Sequence, residues 1–123
     1  MKLHLHQSHN LYTISSHGPG FFKINDVCYN KSLIVHPQEE PTFWPISNSS
    51  SLNANNLRDL IKLNAEIVII GTGARHQILH PSILSPLLEA KIGIEVMNTP
   101  AACRTFNILT SEGRNIVAAL MLT

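Results

Sequence analysis

Charge is what this chain has least of. Asp, Glu, Lys and Arg together make up 14% of its 123 residues, against roughly 25% in an average soluble domain. The formal net charge is +1 and no basic block is present, which argues against a protein that tracks nucleic-acid phosphates. Cysteine is nearly absent. Cys28 and Cys103 are too few for a disulfide framework, neither belongs to a CxxC pair, and both are expected to be reduced. Long apolar runs are missing as well. Those ending at Ile70 and at Leu122 fall far short of the roughly 20 residues of a membrane-spanning helix. Met1 to His6 alternate instead of forming the apolar stretch of a signal peptide. The expected location is the cytoplasm, with no membrane span.

Familiar catalytic patterns are lacking too. There is no Gly-x-Ser-x-Gly elbow, no Ser-His-Asp order and no phosphate loop ending in Gly-Lys-Ser/Thr. The eight acidic residues are spread too thinly to favour a two-carboxylate mechanism. What the chain does have is 44% apolar residues and seven His. Its length is that of one domain, expected to span residues 1–123, with enough apolar surface for its own core.

The first third alternates at the strand period of two. Leu3 and Leu5 alternate with His4 and His6, and Tyr12 and Ile14 with Thr13 and Ser15. Asn25-Asp26 lies between Phe21–Ile24 and Val27–Tyr29, and both residues tolerate positive φ, so a two-residue hairpin turn is expected there. Ser32 to His36 is a further short run. Gln38 to Ser51, with Pro41 and Pro45, reads as loop, and its Phe43-Trp44 pair as aromatics packed on the core, a ligand-facing Trp44 being the alternative.

From Leu52 the pattern changes to alternating helix and strand. Asn53 caps a helix presenting Leu57, Leu60 and Ile61. A buried strand ends at Gly71, and Pro81 opens a helix carrying Ile83, Leu84, Leu87 and Leu88. Ile92 to Met97 is the next strand. Thr99 is expected to cap a helix with Pro100 at its first position, Ala102, Phe106 and Leu109 on one face, and Gly113 as its stop. Asn115 to Leu122 is a strand buried on both faces. Helices between strands imply crossovers and a largely parallel sheet.

Ligands of such sheets bind beyond the carboxyl ends of the strands. Two segments stand there. The first is Gly71-Thr72-Gly73-Ala74-Arg75. It reads either as a tight turn that needs glycine dihedrals or as an anion-binding loop whose N–H groups are joined by Arg75. It lacks the third glycine and the downstream acid of a dinucleotide fingerprint. The second is Asn98-Thr99-Pro100-Ala101-Ala102-Cys103-Arg104, where helix-start N–H groups and Arg104 also favour anions. Cys103 reads either as a packed small residue or as a thiol whose pKa is lowered by the helix and Arg104, with His76 or His80 as its base. The candidate ligand-binding residues are therefore Gly71, Thr72, Gly73, Arg75, Asn98, Thr99, Cys103 and Arg104. No cofactor, metal site or catalytic residue is expected. The His pairs 4/6 and 76/80 lack the close Cys or carboxylate ligands of a zinc site.

Glu66–Gly73, Gly93–Met97, Thr99–Asn107 and Glu112–Arg114, read together, resemble the Mth938-like family of unknown function. That family includes small bacterial proteins and a mitochondrial assembly factor for respiratory complex I. The resemblance spans roughly residues 20 to 122 and leaves residues 1–17 outside. It implies a three-layer α/β fold with a mixed, mostly parallel central sheet, flanking helices and an N-terminal β-ribbon. It carries over no catalytic residues. Asn98 stands where members often have Asp, and Phe106 where they often have Tyr, which removes a carboxylate and a hydroxyl from any acid/base scheme. The missing catalytic constellation, the low charge and the family's assembly-factor member together point to a binding or assembly-type protein with a protein partner, and homo-oligomerisation through apolar surface is a further expectation that can accompany it. A small anionic ligand held between the two segments, in a binding protein or an enzyme, is the alternative.

Overall fold

The computed structural model describes residues 11–123, so the expected alternation of Leu3–His6 lies outside the described residues. Strands β1 (Ile14–Gly18), β2 (Phe21–Ile24) and β3 (Val27–Tyr29) form an antiparallel ribbon in the order β1-β2-β3. Asn25 and Asp26 turn it with φ of 48° and 69°, the positive-φ pair of a two-residue hairpin. β1 runs on through His17 to Gly18, and the chain turns at Pro19 and Gly20.

A five-stranded sheet follows in the order β5-β4-β8-β6-β7, from β4 (Leu33–His36), β5 (Glu39–Phe43), β6 (Ile67–Gly71), β7 (Gly93–Met97) and β8 (Ile116–Leu120). β6 pairs in parallel with both β7 and β8, while β4 is antiparallel to β8 and to β5. β5 corrects the expectation of a loop from Gln38 to Ser51. Its Glu-Glu-Pro sequence carries little strand propensity, but β5 is an edge strand, where proline is tolerated because one row of its backbone groups pairs with nothing.

Among the described residues three α-helices cover the sheet: α1 (Ala54–Arg58), α2 (Pro81–Glu89) and α3 (Thr99–Ser111). Asn53 caps α1 in a reciprocal box with Asn56, and the chain continues as a 3-10 turn over Asp59–Leu63. Pro86 lies inside α2 and has no N–H for the Ser82 carbonyl. The Ser85 hydroxyl donates to that carbonyl instead, at 3.1 Å.

The chain steps from β6 to β7 in one direction across the sheet and from β7 to β8 in the other. Crossovers are almost always right-handed, so the two connecting helices must cover opposite faces, and they do. Val68, Ile70, Ala119 and Met121 pack with Leu57, Leu60 and Leu87 of the α1–α2 layer. Ile69, Ile116, Ala118 and Leu120 pack with Ala102, Cys103 and Phe106 of α3 and with Phe22 and Ile24 of the ribbon. Every residue of β8 is buried, as its composition requires. Trp44 is buried in the α1–α2 layer, whereas Phe43 stays 63% exposed with the Lys31 Nζ 5.1 Å from its ring centre.

Candidate functional site

The reversal of direction between β6 and β7 is where a doubly wound sheet opens a ligand crevice. Gly71–Arg75 leaves β6 at this point and Asn98–Arg104 follows β7, so the topology sets the two segments side by side. Thr99, 1% exposed, fills the space between them. Its Oγ1 accepts a hydrogen bond from the Gly73 N–H at 2.8 Å and donates to the Met121 carbonyl at 2.7 Å. Its N–H donates to the Gly73 carbonyl at 2.8 Å. Gly71 is required by this closure, because a Cβ there would lie 2.9 Å from Thr99 Oγ1 and 3.1 Å from Thr99 Cα. Gly73 is required by its backbone, at φ +95°.

Thr72, also buried, closes the loop from the other side. Its N–H donates to the Met97 carbonyl at 2.9 Å. Its hydroxyl donates to the Arg75 carbonyl at 2.7 Å and accepts from the Gln77 N–H at 3.1 Å.

The cap of α3 corrects an expectation. The capping residue is Asn98, whose side chain accepts from the Ala101 N–H at 2.8 Å, and Thr99 and Pro100 fill the first two helical positions. An Asn caps as well as an Asp does, so the departure at this position leaves the helix start intact. The Ala102 N–H bonds to the Asn98 carbonyl, and Pro100 has no N–H to offer. The N–H groups of Thr72, Gly73, Thr99, Ala101 and Ala102 are thus all engaged, within the two segments, between them or with the end of β7.

Arg75 and Arg104 remain exposed. Neither takes part in the ion pair found among the described residues, which joins Arg114 to Glu66, nor in the 3.9 Å approach of His36 to Glu39. Cys103 corrects the reading of a lowered pKa. It is 1% exposed in the α3 core layer, and burial pushes its thiol up to about 12, against a smaller lowering by the Arg104 charge. Neither proposed base serves it. His76 is exposed. His80 caps α2 on the opposite face of the sheet, its Nδ1 accepting from the Ser82 N–H at 3.1 Å. Cys28 is exposed and both thiols are free. Among the described residues no three His, Cys, Asp or Glu side chains are placed to hold a metal ion, and no helix is long and apolar enough to cross a membrane.

One residue that sequence reasoning passed over is Asn107. Its side-chain amide accepts from the Ile14 N–H and donates to the Ile14 carbonyl, both at 2.8 Å. That double bond fastens the ribbon to α3. The helix pattern gives no signal of it, because Cys103, Arg104, Thr110 and Ser111 beside it on α3 are of mixed polarity.

Residues 14–121 match the family described as "Protein of unknown function (DUF498/DUF598)". The chain belongs to this family. It is 34% identical over 88% of its length to the zebrafish (Danio rerio) protein named NADH dehydrogenase (ubiquinone) 1 alpha subcomplex assembly factor 3. It spans 63% of that relative's length. Its fold matches a solved protein from Bordetella parapertussis with a TM-score of 0.87 at 34% identity, over 92% of this chain and 97% of the other. It also matches a Bordetella pertussis protein described as a Mth938-like domain, with a TM-score of 0.80 at 29% identity, over 91% and 86% of the two chains. The DUF498/DUF598 family thus joins proteins of unknown function to one named as an assembly factor, and the fold is the Mth938-like one that the resemblance implied.

Proposed function

We propose that this chain is a non-catalytic, assembly-type protein that works in the cytoplasm by binding a protein partner. The supporting observation is its 34% identity, over 88% of its length, with a protein named as an assembly factor. The chemistry agrees with that reading. The crevice at the sheet reversal is filled by Thr99, and the thiol beside it is buried and held protonated. The test is loss of the gene in cells that make a multisubunit NADH dehydrogenase. Native electrophoresis is expected to show less mature complex and an accumulated subassembly, and cross-linking to recover the chain with a subunit of that subassembly. Normal levels of mature complex, with no cross-linked subunit, overturn the proposal.

The second reading is a small anionic ligand at Gly71, Thr72, Gly73, Arg75, Asn98, Thr99, Cys103 and Arg104. It rests on the two exposed guanidinium groups of Arg75 and Arg104. A phosphate-induced thermal shift that disappears when Arg75 and Arg104 are both replaced by Ala supports it. A wild-type protein that phosphate does not stabilise sinks it, since a bound ligand must raise apparent stability by mass action.

A further inference from the structure

The two edges of the five-stranded sheet are built differently. β5 carries Glu39, Glu40 and Pro41, the charges and proline that keep a further strand from adding to an edge. β7 reads Gly-Ile-Glu-Val-Met and has no proline. Among the described residues no strand pairs with its outer side.

The ladder fixes which groups face outward. The Gly93 N–H bonds to the Glu66 carbonyl, and the Met97 carbonyl accepts from the Thr72 N–H, each at 2.9 Å. Alternate residues of a parallel strand serve the same neighbour. Gly93, Glu95 and Met97 therefore face β6, and Ile92, Ile94 and Val96 turn their backbone groups to the free edge. The Ile92 N–H is already taken by the Leu87 carbonyl at 3.0 Å. The edge thus offers N–H groups at Ile94 and Val96, and carbonyls at Ile92, Ile94 and Val96.

This set of donors and acceptors is self-complementary in one antiparallel register. Centring two copies on Glu95 sets carboxylate against carboxylate, which is unfavourable. Centring on Gly93 calls for the Ile92 N–H and leaves Val96 outside the ladder. Centring on Ile94 lets each Ile94 bond to the other, and each Val96 N–H donate to the Ile92 carbonyl of the second copy. The missing Ile92 donor is then the one group the pairing does not need.

From this register we propose that β7 pairs with β7 of a second copy of this chain, about a two-fold axis at Ile94, joining two sheets into one. Such a contact is isologous and closes on itself. The charges fit it. Lys91 and Glu95 are exposed, and neither belongs to an ion pair among the described residues. In the pairing Glu95 stands opposite Gly93 of the second copy, which has no side chain to obstruct it. It is diagonal to Lys91 of that copy, at about 7–8 Å between Cα atoms, within reach of a long side chain. The symmetry makes this charge pair twice. The proposal does not depend on the assembly role, because it concerns only the contact of the chain with itself.

The experiment is sedimentation velocity of the whole chain from micromolar to submillimolar concentration, with hydrogen exchange of the same samples. A monomer–dimer equilibrium is expected. Exchange of the Ile94 and Val96 amides should slow as the concentration rises, while that of the β5 amides stays the same. Val96→Pro removes an outward N–H and no bond to β6, at an edge position that accepts proline. It should weaken the dimer about thirtyfold, since two hydrogen bonds are lost per dimer. Glu95→Lys and Lys91→Glu should each weaken it, and an equimolar mixture of the two should associate again, because opposite charges then face each other. The charge variants leave the backbone untouched, so they decide the matter if Val96→Pro does not fold. A monomer at every concentration overturns the proposal, even if a different protein protects the β7 amides. Undiminished association of Val96→Pro overturns it too, as does a mixture no more associated than its components.

Discussion

The two ends of α3 each carry a buried threonine, and the two are used in opposite ways. Thr99 accepts from one segment and donates to another, closing the reversal of the sheet. The Thr110 hydroxyl has no hydrogen-bond partner among the described residues. Sequence logic points to the first end, because a helix N-terminus beside a Gly-Thr-Gly loop is the usual place for an anion. The lesson is that such a place is a site only while its donors are unspent. Here Thr99 at the N-terminal end is a structural lock, and the unpartnered hydroxyl lies about three turns away.

One labelling experiment and four substitutions break or sharpen this contrast. The largest effect expected is in thiol labelling. Burial pushes the Cys103 thiol up to about 12, so it stays protonated at pH 8, and the residue is buried. A native sample should therefore label at the exposed Cys28 at once and at Cys103 only when denaturant opens the core. Rapid labelling of both thiols in the native protein would contradict the placement of Cys103.

Thr99→Val comes next. It leaves the Gly73 N–H and the Met121 carbonyl buried without partners, at a cost of about 3 kcal/mol in urea unfolding. Gly71→Ala should cost about 2 kcal/mol, because the added methyl meets Thr99 and Leu120 within 3.1 Å and a packed interior resists the shift.

A smaller, pH-dependent effect is expected at Glu66. The hydrogen bond from Arg114, with one from the Asn115 backbone, holds its carboxyl below the ordinary value of 4.5. The folded state therefore binds fewer protons there than the unfolded chain, and the pair's contribution is complete above the ordinary carboxylate pKa. It fades as the pH falls through the lowered folded value. Glu66→Gln should flatten that acid limb of the stability profile slightly, and added salt should shrink the difference because the pair is exposed. An acid limb unchanged at low salt would remove the pair from the account.

The smallest change is Thr110→Val. Replacing an unpaired buried hydroxyl with a methyl should leave stability equal or slightly higher. A loss comparable to that of Thr99→Val would reveal a hidden partner and erase the contrast.

The parts of the fold that were legible in the sequence are those set by local patterns. Asn25-Asp26 dictated a turn by its tolerance of positive φ. Asn53 and Pro81 marked helix starts, and the composition from Ile116 to Leu120 required burial on both faces. β5 was hidden because Glu39, Glu40 and Pro41 are poor strand formers that only an edge position accepts. The cap of α3 was misplaced by one residue because Thr99 is an acceptable cap, and only its bonds to Gly73 and Met121 show that its hydroxyl is engaged elsewhere. Those bonds join residues 22 and 26 positions apart, beyond the reach of any helical or strand period. The idle Thr110 hydroxyl left no trace in the pattern either, since a threonine on a buried helix face reads the same whether or not it has found a partner.

The central position of β8 has a consequence for how the molecule is made. Its neighbours β4 and β6 come earlier in the chain, yet neither pair β4–β5 nor pair β6–β7 can join the other until β8 arrives between them. During synthesis the nascent chain therefore holds two half-sheets with open hydrogen-bonding edges, the state most prone to pair wrongly with another molecule. Completion of the fold waits for residues 116–120, and the contacts that close it span most of the sequence, which favours slow folding. A chaperone that shields strand edges would have its clearest window on this protein just before its last strand emerges.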